Sequence, residues 1–392
     1  MATVNYRKMP ILFQIRKVLR YVELYGVSRT LEKVAGQIHA EGGIGFDGNV
    51  WNNPSAKKSK SRAVGIIGCG SFAYSTIAYY LRRENASFLK AAMDLDPAKA
   101  RSLVKRFGGA YATTDAALIL DDPDITLVYV ASNHASHAEY AIEAIRRGKH
   151  VHIEKPHVVT RSQLAALSDA MRSRPEVMVF LGFNRPRSGH FSRLLNEARR
   201  EVGPSMINWF VAGHAIEDDH WYFNSAEGGR ILGNLCHWSD LTLELMPKTD
   251  RFPCRVIPAS DGRSKSDFVT SIIFPDGSLA SITFSAKGHT FEGVREVLQL
   301  HKGDLIATIR DFKTLSLTRG SSRRSISSLH RDHGHRANVV NSYIAVRDCD
   351  QRRRADLLHI LDTAELFLAI REAHETGQTV VVHGAQPVES CN

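Results

Sequence analysis

Five cysteines in 392 residues, Cys69, Cys236, Cys254, Cys349 and Cys391, are odd in number, widely scattered and contain no C-x-x-C pair. That arrangement excludes a disulfide framework and a zinc finger or ribbon, and it suits a reducing compartment. Long apolar runs are missing too. No stretch approaches the roughly 20 residues that span a bilayer, and Met9-Pro-Ile-Leu-Phe13 is too short for a signal-peptide core, so a cytoplasmic protein without a membrane span is expected. Acidic residues are the scarcer charge, 41 against 51 Lys and Arg, but the excess of +10 is unevenly placed. Up to Arg62 there are 11 Lys/Arg and 4 Asp/Glu, a surplus of seven, and the rest of the chain carries only three more. Without aromatic interleaving or an internal repeat, that local surplus does not describe a nucleic-acid surface. The composition, 43% hydrophobic and 23% charged, is that of a globular protein, long enough for about two to three domains.

Residues 62–73, Arg-Ala-Val-Gly-Ile-Ile-Gly-Cys-Gly-Ser-Phe-Ala, organise the rest. Ala63 to Ile67 reads as a buried strand, Gly68-Cys69-Gly70 as a tight turn and Ser71 to Leu81 as a helix. In this G-x-G-x-x-A turn Gly68 allows the bend, Gly70 lets a pyrophosphate approach the backbone, and small Ala73 lets helix and strand close up. The helix's first turn offers free N–H groups to the anion, with Ser71 and Phe72 beside it. A second strand, Phe88 to Met93, ends in Asp94, placed to accept the ribose hydroxyls of NAD. Leu95-Asp96-Pro97 follows where an Arg would have indicated the 2′-phosphate of NADP, so NAD is expected over NADP.

The first 60 residues read as a basic helical extension and linker. Leu12, Ile15, Leu19 and Val22 recur at helical spacing, with Arg16, Lys17 and Arg20 among the other positions, so Pro10 to Tyr25 is an amphipathic helix that Gly26 ends. Ser28 or Thr30 would cap a second short helix carrying Leu31, Val34 and Ile38. Gly42-Gly43, Asn49 to Pro54 and Lys57 to Arg62 then read as loop and linker. The leading use is an arm packed on its own or a neighbouring subunit. Weak peripheral contact with anionic lipid through residues 10–25 and a partner-binding helix are the alternatives.

From Arg62 onward strands and helices alternate, as a parallel sheet requires. Pro97 to Phe107 is helical, Ala110 to Ala112 a short strand, Asp115 to Leu120 a helical turn. Leu127 to Ala131 is an apolar strand that delivers Ser132, Asn133 and His134 to its C-terminal end, where ligands collect in open α/β sheets. The helix His137 to Arg147, stopped by Gly148, leads to Val151 to Ile153 and then Glu154-Lys155-Pro156.

At this point the residues resemble a known family. The glycine turn, Asp94, and above all the run from Asn133 through Gly148-Lys-His-Val151 to Glu154-Lys-Pro156 are similar to the glucose–fructose oxidoreductase / inositol dehydrogenase (Gfo/Idh/MocA) family, from Arg62 to about Val382. The resemblance implies an α/β protein: an N-terminal Rossmann NAD-binding domain, 61–183, and a C-terminal α/β domain, 184–392. The second domain's large, mostly antiparallel sheet would cover the substrate and mediate a homo-oligomer, a dimer or tetramer. It implies a dehydrogenase in which Gly68, Gly70, Ser71, Phe72 and Asp94 hold the dinucleotide and Asn133, His134, Glu154 and Lys155 line its nicotinamide half. Val177 to Phe183 is a further strand, and Asn184-Arg185 after it corresponds to a segment beside the cofactor.

The second chemical cluster is Gly228-Gly229-Arg230-Ile-Leu-Gly-Asn-Leu-Cys-His237-Trp-Ser-Asp240. If Arg230 to Met246 is helical, Gly233, Asn234, His237 and Asp240 share one face, and Asn234 or Asp240 would orient the imidazole. His237 is the expected base and Lys155 the donor to the reacting oxygen. Trp221, Arg230 and Asn234 join them as substrate residues. Many similar proteins carry Asp where this chain has Gly233, so an Asp–His partnership from that position is absent. Trp221-Tyr222 and the Gly-Gly-Arg stretch look most like members acting on nucleotide sugars, of the UDP-N-acetylglucosamine 3-dehydrogenase type. Two other readings stay open: glycoside hydrolysis through transient oxidation by a retained NAD, and a cofactor-binding protein without catalysis.

Farther on, Asp267 to Phe274 and Ser278 to Ser285 read as a hairpin, continued by Val297 to Leu300 and Asp304 to Thr308. His330, His333 and His335 fall in a polar Ser- and Arg-rich loop, Thr318 to Arg336. Without carboxylate order or a strand frame no metal site is expected there, and a solvated or substrate-capping loop is the reading. Asp356 to Glu375 is a long helix and Thr379 to Val382 the last strand.

Overall fold

Val64 to Ile67 and Leu127 to Val130 are runs with scarcely a polar group, and such strands are stable only where both faces are covered. In the computed structural model, which describes residues 9–41, 43–56, 63–217, 219–259, 264–287 and 291–385, both are wholly buried. They are β2 and β5 of a sheet comprising β1 (Val50–Asn52), β2 (Val64–Ile67), β3 (Leu89–Met93), β4 (Tyr111–Thr113), β5 (Leu127–Val130), β6 (His150–Ile153) and β7 (Val179–Leu181). Their spatial order is β1-β4-β3-β2-β5-β6-β7, all parallel except the β1–β4 pair. The chain therefore reverses direction across the sheet between β2 and β5, the switch point of a doubly wound fold.

Gly68 closes that point. Its φ is 89°, its N–H donates to the Met93 carbonyl at 2.8 Å, and a Cβ there would stand 2.5 Å from Ala131. No other residue fits. The helix that follows runs on to Glu84 and carries a π-helical stretch, Ala73–Ala78, in its middle.

The second sheet consists of β8 (Ser205–Ala212), β9 (Cys254–Ala259), β10 (Phe268–Ile273), β11 (Leu279–Ser285), β12 (Arg295–Lys302), β13 (Leu305–Arg310), β14 (Thr314–Arg319), β15 (Ser322–Ser327) and β16 (Val380–Val382). Its order is β15-β14-β13-β12-β8-β11-β10-β9-β16, and only the β8–β11 pair is parallel. Strict alternation along β8 explains the layering. Ile207, Trp209 and Val211 are buried toward the helix Cys236–Leu245, where Trp209 Nε1 donates to Thr242 Oγ1 at 3.1 Å. Met206 and Phe210 point the other way and are 54% and 51% exposed.

Two compact units result, Ser28–Gly182 with His335–Leu357, and Met1–Val27 with Phe183–Gly334 and Leu358–Asn392. Some segments thus reach beyond the sequential ranges read from the sequence. The helix His335–Arg347 packs on the first sheet: Val339 accepts the Tyr129 hydroxyl at 2.7 Å, and Asn338 donates to Leu181 O at 3.1 Å.

Three local expectations are corrected. Residues 50–52, read as linker, form β1, because Trp51 packs into the core around β2 and β3. The polar stretch 318–336 is not one loop. Ser322–Ser327 pairs with β14, and His335 begins a helix. The extension forms α1 (Ile11–Tyr25) and α2 (Val27–Ile38), but inverted with respect to its apolar stripe. Leu12, Ile15 and Leu19 are exposed, as are Leu31, Val34 and Ile38. Lys17 is buried instead, donating to Phe291 O at 3.1 Å, and Arg20 meets Glu292 at 2.6 Å. Burial holds the Lys17 ammonium down at about 8. Linker residues 57–62, Gly42 and Cys391 lie outside the described residues. Among those described, no helix is long and apolar enough to cross a membrane.

Candidate active site

The glycine turn separates two jobs between its glycines. Gly68 is demanded by packing, whereas a Cβ on Gly70 would meet nothing within 4 Å. Space over the first turn of the Ser71 helix is what a pyrophosphate requires, so the residues present fit a dinucleotide. Asp94 braces the turn from β3: one carboxylate oxygen accepts the Cys69 N–H at 2.7 Å and the other the Asp96 N–H at 2.9 Å. Each oxygen keeps a second lone pair, enough for a ribose diol.

At the end of β5, Asn133 Oδ1 accepts from Ser136 Oγ at 2.6 Å, and His134 is buried in a short turn of 3₁₀ helix. Across from it, β6 ends in Glu154, whose backbone N–H donates to Val130 O at 2.9 Å. The Glu154 side chain is nearly buried, 3.6 Å from His152 Nε2, and occupies room that a Cβ on Gly182 would fill, 2.6 Å from its Oε2. Lys155 follows, half-buried.

His137 was overlooked by the sequence reading as anything but a helix start. Its Nδ1 lies 2.8 Å from Pro156 O and its Nε2 3.2 Å from Ser132 O, tying the loop after β5 to the Glu-Lys-Pro turn after β6. Burial lowers the pKa of this imidazole, so the ring is neutral and donates one of the two bonds. The signal was its position three residues after His134, but nothing local shows the Pro156 carbonyl.

In the other unit, the Gly228-Gly229 turn, with φ of 78° and 63°, enters a π-helical stretch, Ile231–Leu235, before the helix Cys236–Leu245 that bears His237. His237 is buried, edge-on to Phe183 at 5.8 Å. The expected partnership with Asp240 does not form. Asp240 Oδ1 accepts instead from His359 Nε2 at 3.0 Å and Thr363 Oγ1 at 3.1 Å. Although burial opposes it, the bond to Asp240 raises the pKa of His359. Asn234 Oδ1 is buried with no hydrogen-bond partner among the described residues. Trp221 stands edge-on to Tyr222 at 4.5 Å.

Arg230 is 3% exposed and donates to His214 O at 3.0 Å, its guanidinium over the Phe284 ring at 5.1 Å. Burial lowers its pKa, opposed in part by the charges of Tyr222 and Asp267, and its Nε has no hydrogen-bond partner among the described residues. A buried guanidinium in that state attracts an anion.

Asn184 and Arg185 use their polar groups within this unit. Asn184 donates to His333 O at 2.6 Å; Arg185 binds Glu296 through bonds of 2.9 and 3.2 Å and covers the Trp238 ring at 4.9 Å. Glu296, absent from the sequence reading, also accepts from Trp238 Nε1 at 2.8 Å and lies 3.0 Å from His333 Nε2. Burial alone would raise its carboxyl, but Arg185 and His333 bring it down to about 2. Arg331, expected in a loop, pairs with Glu292 and Asp311 at 3.2 Å each. His330 faces Glu23 O at 3.1 Å, and among the described residues no three His, Cys, Asp or Glu side chains group as metal ligands do.

Residues 62–183 match the sequence model of the oxidoreductase family GFO_IDH_MocA, an NAD-binding Rossmann fold. Inositol 2-dehydrogenase of Ralstonia nicotianae is 30% identical over 132 residues, 33% of this chain and 39% of that enzyme, so the chain spans about two fifths of this relative's length. Among solved structures, levoglucosan dehydrogenase in complex with NADH and levoglucosan superposes with a TM-score of 0.70 at 19% identity, covering 82% of this chain and 99% of that one. KijD10, a 3-ketoreductase from Actinomadura kijaniata in complex with NADP and TDP-benzene, does so with a TM-score of 0.66 at 18% identity, over 79% and 97% of the two chains. At those identities the superpositions establish the shared fold.

Proposed function

We propose, for a chain whose residues 62–183 belong to the Gfo/Idh/MocA oxidoreductase family, that the protein is an NAD-dependent dehydrogenase oxidising a secondary hydroxyl of a sugar or cyclic polyol. NAD, when bound, supplies the hydride acceptor. Gly68, Gly70, Ser71 and Phe72 would hold its pyrophosphate, Asp94 its ribose, and Asn133, His134 and Glu154 its nicotinamide half. His237 would take the hydroxyl proton, since imidazoles exchange protons near neutral pH. Lys155 would donate to the reacting oxygen and favour the developing alkoxide. His137, by holding the backbone around Lys155, would keep that ammonium in place.

The observation that carries this reading is the cradle at Gly70, a glycine that no packing contact and no positive φ requires. Gly70→Val should therefore fold normally yet lose NADH affinity by about tenfold or more, because a branched side chain enters the place of the pyrophosphate. Titration calorimetry with NADH beside a melting curve checks it. Unchanged affinity in a folded Gly70→Val protein contradicts the reading.

Within the sugar class, the burial of Arg230, whose Nε has no hydrogen-bond partner among the described residues, favours an anionic substrate, and a nucleotide sugar of the UDP-N-acetylhexosamine type is the finer proposal. Assembly as a homo-oligomer through the open face of the nine-stranded sheet, where Met206, Phe210 and Ile306 are 54%, 51% and 54% exposed, belongs to the same proposal.

A further inference from the structure

The extension lies outside the residues that the family model matches, yet residues 36–41 and 43–52 run along the part of the first unit where Asp94 would meet the cofactor's ribose. Gln37 donates to Ser71 Oγ at 3.1 Å. His39 stacks on Tyr74 at 4.2 Å, meets Ser102 Oγ at 3.2 Å and faces the backbone of Cys69 in the glycine turn. Next the chain crosses the start of the helix Pro97–Phe107, which follows Asp94 and is capped by Asp96. A Cβ on Gly45 would be 3.1 Å from Pro97 Cγ, and one on Gly43 would be 3.5 Å from Ala98 Cβ.

What this crossing does to the local cations is specific. Arg101, on the second turn of that helix, donates to Gly45 O at 2.8 Å and Ile44 O at 3.2 Å, and its guanidinium lies over the Trp51 ring at 4.9 Å. Lys99 is drawn to Asp96 at 3.4 Å. An arginine near the acidic residue is the group that accommodates the 2′-phosphate of NADP in dinucleotide folds. Here both basic side chains of the helix's first two turns are held, Lys99 by the cap residue and Arg101 by two carbonyls and an aromatic face of the extension.

We propose that the extension sets the choice between NAD and NADP by sequestering Arg101, with Trp51 and the 44–45 backbone as the clasp. The inference rests on the dinucleotide reading of residues 62–183. Release of Arg101 would give the 2′-phosphate a charge-assisted, bidentate partner that NADH cannot use. Asp94 alone would disfavour the phosphate by like charge; the clasp removes the compensating cation.

The test is calorimetric titration of the full-length protein with NADH and with NADPH. Wild type should prefer NADH. In Trp51→Leu, which keeps an apolar side chain on β1 but removes the ring face, the ratio of NADPH to NADH dissociation constants should fall by about fivefold or more, and Trp51→Leu/Arg101→Ala should return it to the wild-type value. General loosening of the fold weakens both ligands together and leaves that ratio unmoved. Arg101→Ala in the wild-type background supplies a second reading that does not depend on Trp51. A sequestered arginine contributes little to NADPH binding, so the NADPH constant should change by less than about twofold, whereas an arginine already serving the phosphate would lose about tenfold. NADH binding with an unmoved ratio in Trp51→Leu, or a tenfold NADPH loss in Arg101→Ala, overturns this inference and leaves the dinucleotide reading intact. Wild type that binds neither dinucleotide overturns both.

Discussion

Two helices begin with a glycine pair and then a π-helical stretch: Gly68-x-Gly70 leads into Ala73–Ala78, and Gly228-Gly229 leads into Ile231–Leu235. A π turn breaks the regular ladder and leaves backbone groups in need of other partners, which is one reason such turns concentrate at functional sites. The two starts differ in what completes them. At the first, Arg29 of α2 donates to the Ser75 carbonyl and, at 2.7 Å, to Thr76 Oγ1, while Gly36 brings α2 close against Ser75. At the second, Arg230 Nε, Asn234 Oδ1 and Asp240 Oδ2 are buried without hydrogen-bond partners among the described residues. Orphaned buried polar atoms are costly, and they accumulate where a ligand is to satisfy them. The π stretch of the first is closed by side chains of α2, whereas that of the second leaves buried polar atoms unpaired among the described residues.

The comparison can be broken from behind the second helix first. Trp238 of that helix is bonded to Glu296, which is bonded in turn to Arg185. Glu296→Gln leaves a buried guanidinium without its counter-charge and should reduce unfolding free energy by about 3–5 kcal/mol in chemical denaturation. The depressed carboxyl also fixes a sign: the stabilisation is present above the ordinary carboxylate range and is lost as pH falls toward about 2. A variant as stable as wild type would show that the network carries no load.

Uncapping the first π stretch should have a smaller effect. Arg29→Met keeps the aliphatic stem but leaves the Ser75 carbonyl unbonded, and a loss of about 2 kcal/mol is expected. Melting by circular dichroism decides, and no change would mean that the stretch holds itself.

The smallest effect concerns Asp240. With its pKa raised in the folded state, His359 contributes stability that is complete below its ordinary value near 6.5 and fades as pH rises through the higher folded value. Asp240→Asn should flatten that slope, by about 1 kcal/mol across the interval. A slope that persists in the variant would assign it to another group.

Much of the first unit was legible because its determinants are local. A strand, two glycines, a small residue and an acidic strand end lie within a short span, and both the sheet and the turn formed as read. The extension was half legible. Spacing marked its helices, but the faces inverted, because the partners of Lys17 and Arg20, at Phe291 and Glu292, lie far along the chain. Ser322–Ser327 escaped notice for a different reason. An edge strand with little buried side chain, rich in Ser and Arg, has no alternation to read. At the second site, the extra residue of a π turn rotates the face before His237 by about 100°, and His359 and Thr363 arrive from a distant helix to take Asp240.

The most direct test of the central claim is absorbance at 340 nm when the purified protein is given NAD with inositols, free sugars and UDP- and GDP-sugars, beside Lys155→Ala and His237→Ala. The account predicts NADH formation with a member of that panel, and a loss of about 10²–10⁴-fold in kcat in each variant. Turnover that survives both substitutions would contradict the assigned chemistry, and NADH binding without turnover on any hydroxyl substrate would contradict the dehydrogenase itself.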